Sequence, residues 1–377
     1  MIKAKLKYSL VAAALMIGLT ATAPLMQAAG TTTAKDLFSG TPAGDTTYHF
    51  SDIQFLSGTT GRAAGNGFLI GTSDAGSTWQ PIYKGTWQFT QLDFISNTTG
   101  WALAKSSASG TNALIHTKDG GKTFTKIVTS PLALERIHFV DASNGFGYTK
   151  AFAYKTSNGG KTWTKISTPP NNRYAEFTDV KHGWSLIVVP GFGYRLSKTT
   201  DGGTHWSTKL TVKSEESIGG KLYTKGNQIW AQFYGGVGMS QQSYSLYASA
   251  DNGSSWRKVI SQETAGGGPA PGGAAGLVKE GPAAPGGHPS NLELVDGAAI
   301  LGGYSPAAGV IGVGRSIDSG KTWNNLTPIA GGESIISFTS KELGWMADTS
   351  LANAAVYRTT DGGKTWSKKL SIPENNQ

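Results

Sequence analysis

The chain has 377 residues, 15% charged and 38% hydrophobic, with a formal net charge of +9 and no cysteine. The missing cysteine excludes disulfides, lipobox lipidation and thiolate metal sites. Basic residues are scattered through turns, as at Lys122, Lys161, Lys321 and Lys364, which argues against a dedicated nucleic-acid surface.

The chain opens on a processing signal. Lys3, Lys5 and Lys7 give a basic start, Leu10 to Leu19 form an apolar run too short to span a bilayer comfortably, and Ala28 and Ala29 suit cleavage. Residues 1–29 therefore read as a secretory signal peptide, and the mature chain is expected outside the cell with no stable membrane span. Cleavage removes three Lys and no acids, so the charge falls from +9 to +6 and 348 residues remain. Residues 30–47 form a polar extension that could add an edge strand.

From residue 48 to 371 one phrase recurs seven times: TSDAGSTW at 72–79, TKDGGKTF at 117–124, TSNGGKTW at 156–163, TTDGGTHW at 199–206, SADNGSSW at 249–256, SIDSGKTW at 316–323 and TTDGGKTW at 359–366. Its third residue is Asp74, Asp119, Asn158, Asp201, Asp251, Asp318 and Asp361, at intervals of 45, 39, 43, 50, 67 and 43 residues. That interval is the size of one small antiparallel sheet, which predicts an all-β, single seven-bladed propeller of four-stranded antiparallel blades. In the turn, Asp or Asn is expected to accept N–H groups one and two residues on, while Gly supplies positive φ. The closing ring (Trp79, Phe124, Trp163, Trp206, Trp256, Trp323, Trp366) is expected to pack between one sheet and the next. The longest interval contains a Gly/Pro/Ala-rich insertion, 262–290, between the fifth and sixth predicted blades; its composition cannot bury a core, and it reads as a mobile loop. Residues 372–377 form a C-terminal tail.

The phrase resembles the Asp-box, or BNR repeat, of sialidases, sortilin-type receptors, xyloglucan-active glycosidases and the photosystem II stability/assembly factor family. A second element, an aromatic followed six residues later by Gly and another aromatic, recurs at Phe94 with Gly100-Trp101, Phe139 with Gly145-Phe146, Phe177 with Gly183-Trp184 and Phe338 with Gly344-Trp345. Phe55 with Gly61 keeps the spacing, but Arg62 replaces the second aromatic. The combined unit is most similar to the assembly-factor family. The resemblance implies a scaffold that holds a protein or envelope polymer; the chain is expected to be monomeric, and with no paired metal-ligand spacing among its six His, no metal or cofactor and no nucleic acid is expected. It also places the boxes on the face away from the ligand, as structural turns.

On the opposite face, Phe192, Tyr194, Tyr234, Tyr244, Trp87 and Arg173 are candidate ligand contacts, suited to a peptide or to sugar rings as in a lectin. A glycoside hydrolase or lyase is the alternative: Asp93, His138 and Glu176 share the position before the inner-strand aromatic and could gather with Arg136 at the axis. Against sialidase activity, the chain has seven Arg and lacks the Arg-Ile-Pro phrase that the resemblance would require. Against xyloglucan cleavage, it offers one propeller where those enzymes have two.

Overall fold

The repeated turns are built alike in the computed structural model, which describes residues 33–373 apart from 41, 44–46, 108, 130, 131 and 239. The expected signal peptide and residues 374–377 of the tail lie outside the described residues. At the first box, Thr72 Oγ1 donates to Asp74 Oδ1 at 2.8 Å and accepts the Gly76 N–H at 2.9 Å. Asp74 in turn accepts the Thr78 N–H at 2.8 Å and the Thr78 hydroxyl at 2.6 Å. The same set recurs around Asp119, Asp251, Asp318 and Asp361. At Asp201 the His205 ring replaces the hydroxyl, and Asn158 donates to Thr162. The carboxylate thus grips the N–H four residues on rather than one and two on; the leading Ser or Thr hydroxyl serves the nearer groups. Gly363, at φ 91°, shows the left-handed backbone that lets the chain turn there.

Among the described residues the strands form six antiparallel blades, which corrects the expected seven. Strand Gln80–Phe94 causes the difference. Its first part pairs with Gly61–Thr72 and its second with Gly100–Lys105, so two repeats share one six-stranded blade of order Phe50–Phe55, Gly61–Thr72, Gln80–Phe94, Gly100–Lys105, Ala113–Thr117, Thr125–Ile127. The blades that follow span 136–166, 172–213, 219–262, 288–330 and 334–371; the blade at 288–330 has five strands and the others four. The strands that lead into the boxes are buried on both faces, as at Leu69, Ile70, Leu114 and Ile115.

Two other expectations change. The described part of the N-terminal extension holds a short helix, Ala34–Leu37, with a Thr33/Asp36 capping box, and not an edge strand. Leu37, Phe38 and Tyr48 pack it onto Phe50 and Phe68. The insertion is folded rather than loose: Val278 bridges Ile260 in parallel, Gln262 Nε2 donates to Gly287 O at 2.7 Å, and Ser243 Oγ donates to Gly267 O at 2.7 Å. Its glycines allow backbone to lie directly against strand Gln228–Gly238, while Ala270 and Ala283 are buried.

Aromatic plates join the repeats. Trp101 stacks on Phe139 at 3.8 Å and Trp345 on Phe55 at 3.4 Å, and each indole N–H donates to a carbonyl of the next box, Gly159 O and Ala75 O. The preceding Gly is obligatory because the inner-strand Phe lies over it; a Cβ at Gly145 would stand 2.6 Å from Phe139. The box rings also sit at the junctions between sheets: Trp79, Trp163, Trp206 and Trp366 meet edge-on the inner-strand Phe of their own repeat, in clusters shared with the preceding sheet, and Trp256 and Trp323 meet Trp184 and Trp230 of the preceding blade. The second-strand ring stacks across the same junctions.

Candidate functional site

The inner strands surround the axis, and side chains two residues apart on them share one face. This places Asp52 with Gln54, Gln91 with Asp93, Arg136 with His138, Tyr174 with Glu176, Lys221 with Tyr223 and Asn291 with Glu293 in successive repeats. Most of these groups tie one inner strand to the next. Gln54 accepts the Phe94 N–H at 2.8 Å and donates to Phe94 O at 3.2 Å. Gln91 does the same to Ile137 and Asn291 to Ile336. Asp52 accepts the Leu92 N–H and Asp93 the Phe139 N–H, both at 2.6 Å. Tyr148 accepts from Phe177 N at 3.0 Å, and Ser337 completes the hoop by accepting from Phe55 N at 3.0 Å.

Arg136 differs. Its guanidinium lies between the rings of Tyr148 and Tyr174, 3.8 and 4.1 Å from their centroids. It pairs with Glu176 at 2.5 Å, donates to Ala175 O, and keeps its side chain 24% exposed. Burial opposes its charge, but Tyr174, Glu176 and Tyr148 raise its pKa above the ordinary Arg value. Lys221 is close enough that burial, then Arg136, pulls its ammonium below the usual Lys range. This is a partly open cationic site with planar donors, suited to a carboxylate or a carbonyl-rich segment.

The acids respond in the opposite sense. Burial pushes Asp52 to about 7 against its bonds from Leu92 and Ile53. Burial also takes Asp93 to about 8, opposed by the Phe139 N–H and reinforced by Asp52 and Glu176. Glu293 reaches about 8 by burial, with Lys225 opposing. Folded-state values raised this way give stability that is complete below the ordinary carboxylate range and lost as pH rises through about 7 to 8.

The structure pairs Arg136 with Glu176, sets Asp93 within reach of the Glu176 charge, and leaves His138 exposed. Among the described residues no three His, Asp or Glu side chains converge as metal ligands. Of the candidate ligand contacts, Phe192 is 38% exposed beside a groove of about 750 Å³ between Thr211–Glu215 and the insertion's Pro269–Gly273. Tyr194 and Tyr244 are fully buried; Tyr194 donates to Tyr234 O and accepts the Gly219 N–H. Tyr234 is half-buried and donates to Gln232 Oε1, Trp87 packs beside Tyr83 and Phe89, and Arg173 is exposed. Sequence reasoning missed Asp52, Tyr148, Tyr174, Lys221 and Glu293. Period-two alternation on the inner strands would have pointed to all of these but Tyr148, which lies on the neighbouring strand.

Comparison with known proteins agrees with this architecture. A BNR/Asp-box repeat model matches residues 357–368. No curated protein matches the sequence. Among solved structures, YCF48 bound to D1 peptide is similar with TM-score 0.53 and 18% identity, over 84% of this chain and 93% of that one. YCF48 from Cyanidioschyzon merolae gives 0.54 and 16%, over 85% and 98%. The GH74 xyloglucanase from Xanthomonas campestris gives 0.57 and 12%, over 88% of this chain and 55% of that one. Among the described residues no helix is long and apolar enough to cross a membrane, which leaves β-barrels unaddressed. The chain folds as a β-propeller, and one of its repeated turns matches the BNR/Asp-box repeat model.

Proposed function

We propose that this propeller is an exported binding and assembly module that holds a segment of a partner protein at its axis, with Arg136 as the principal contact. The observation that carries this reading is the division of labour among the axial groups. Asp93 is committed to the Phe139 N–H and Glu176 to Arg136, while the Arg136 guanidinium retains exposed surface between two Tyr faces. Backbone carbonyls or a carboxylate of an extended segment complement such a group. Similarity to a propeller solved with a peptide bound supports the same class of ligand.

The test is a tiled peptide array from envelope and secreted proteins, read with the mature chain from residue 30 and with Arg136→Ala and Arg173→Ala variants. Selective loss on changing Arg136, with an unchanged melting profile, is the expected result. Equal binding by all three proteins overturns the axial assignment. Export is checked by fractionating cells and sequencing the mature N-terminus, expected directly after Ala29.

A hydrolase has one observation in its favour, the raised values at Asp93 and Glu293, since a protonated carboxyl at neutral pH can act as an acid. Reducing-end release across a panel of polysaccharides, abolished by Asp93→Asn in a folded protein, would replace the binding reading.

A further inference from the structure

A second site lies on the box face, away from the axis and independent of the reading above. A groove of about 870 Å³ runs between the boxes of Asp119 and Asn158. Lys118 comes from one box, Lys161 from the next, and His116 also lines the groove with its ring 4.7 Å from that of Trp101. Ser143, Ser157 and Thr125 add hydroxyls to the lining.

Two features separate this groove from the other turns. Lys118 occupies the second position of its phrase, where the other copies have Ser73, Ser157, Thr200, Ala250, Ile317 and Thr360. Asn158 is the single copy in which Asp is replaced, so one carboxylate is missing from the wall. Asp119 remains, but its oxygens are filled by the Thr117 hydroxyl, the Thr123 N–H and the Thr123 hydroxyl. The two lysines therefore outweigh one inward-satisfied carboxylate. Burial, then Lys118 and Lys161, lowers the His116 pKa, which shows that the three groups share one field.

We propose that this groove binds a tetrahedral oxyanion, a phosphate or sulfate group, between Lys118 and Lys161 with His116 as a third donor. Both ions carry acceptors around a compact charge, which suits a groove lined by two ammonium groups and several hydroxyls.

The experiment titrates the mature chain with inorganic phosphate and separately with sulfate, against sodium chloride at matched ionic strength, following the His116 ring resonances by NMR. His116→Gln identifies those resonances. Saturable shifts with phosphate or sulfate but not chloride, and an upward move of the His116 titration, are expected; the better ion tells a phosphate-bearing from a sulfate-bearing ligand. Lys118→Ala and Lys161→Ala should each weaken binding about fivefold, the upper range for one exposed ion pair. Lys122→Ala, in the same turn but outside the groove lining, should leave it unchanged. Asn158→Asp restores the residue that six other copies tolerate, so it should fold normally and weaken the ion as much as either lysine variant. Shifts that follow chloride equally, or that survive both lysine changes, overturn the proposal.

Discussion

The first repeat has two neighbours and is joined to them in different ways. Towards the second repeat, strand Gln80–Phe94 passes continuously from one repeat to the next, and Arg62 sits where Trp101, Phe146, Trp184 and Trp345 stand in other repeats. Its guanidinium covers the Phe94 ring at 4.0 Å and donates to Gly120 O and Asn97 O, reproducing the stacking and carbonyl bond of an indole. Towards the last blade no strand is shared; Phe55 and Trp345 stack with planes 4° apart, and Trp345 Nε1 donates to Ala75 O. Where backbone pairing carries the junction, a cation suffices to cap the carbonyls. Where side chains alone close the ring, the larger apolar plate is present.

The sharpest way to break this comparison is Trp345→Ala. Losing a fully buried ring at the closing junction should cost about 3–5 kcal/mol in denaturant unfolding. A loss no larger than that of Arg62→Ala would show that closure does not depend on the plate. Arg62→Ala should cost about 1–3 kcal/mol, because two carbonyls lose their partner. Burial already lowers the Arg62 pKa and one of its nitrogens is unpaired among the described residues, so the cation is a compromise. Arg62→Trp should accordingly stay within about 1.5 kcal/mol of the parent, measured the same way.

Gln54→Ala removes the two-bond clamp on Phe94 and should cost about 1 kcal/mol, read as a shift in the denaturation midpoint. The smallest effect belongs to the turns. Hydrogen bonds from the Ser255 side chain and N–H, then from Ser249, hold Asp251 at about 2. A depressed folded-state value gives stability that is present above the ordinary Asp value and lost as pH falls towards 2. Asp251→Asn should flatten part of that acid limb in melting-temperature scans between pH 5 and about 2, while the Asn158 turn contributes no such dependence.

The turn phrase was legible because it is a local device: hydroxyl, carboxylate and glycine satisfy one another within eight residues, whatever surrounds them. The recurring positions of Asp93 and Glu176, and of Arg136 two residues before His138, were legible too, since each lies at a fixed distance from the inner-strand aromatic. Their use was not. Whether Asp93 faces substrate or the Phe139 N–H depends on the spacing between inner strands that are far apart in sequence. Tyr194 and Tyr244 looked like exposed loop rings, yet cross-strand pairing turned both inward.

The sequence by itself determined the all-β repeat, the seven turns and the Gly-aromatic spacing, because each is written in short-range chemistry. Only the tertiary structure decided the blade count, the folding of the insertion and the part played by Arg62. A strand continuing through a repeat boundary, glycine backbone laid against a sheet, and a cation stacked in an indole's place all depend on which surfaces meet. Those contacts are formed between segments tens to hundreds of residues apart, where no local pattern records them.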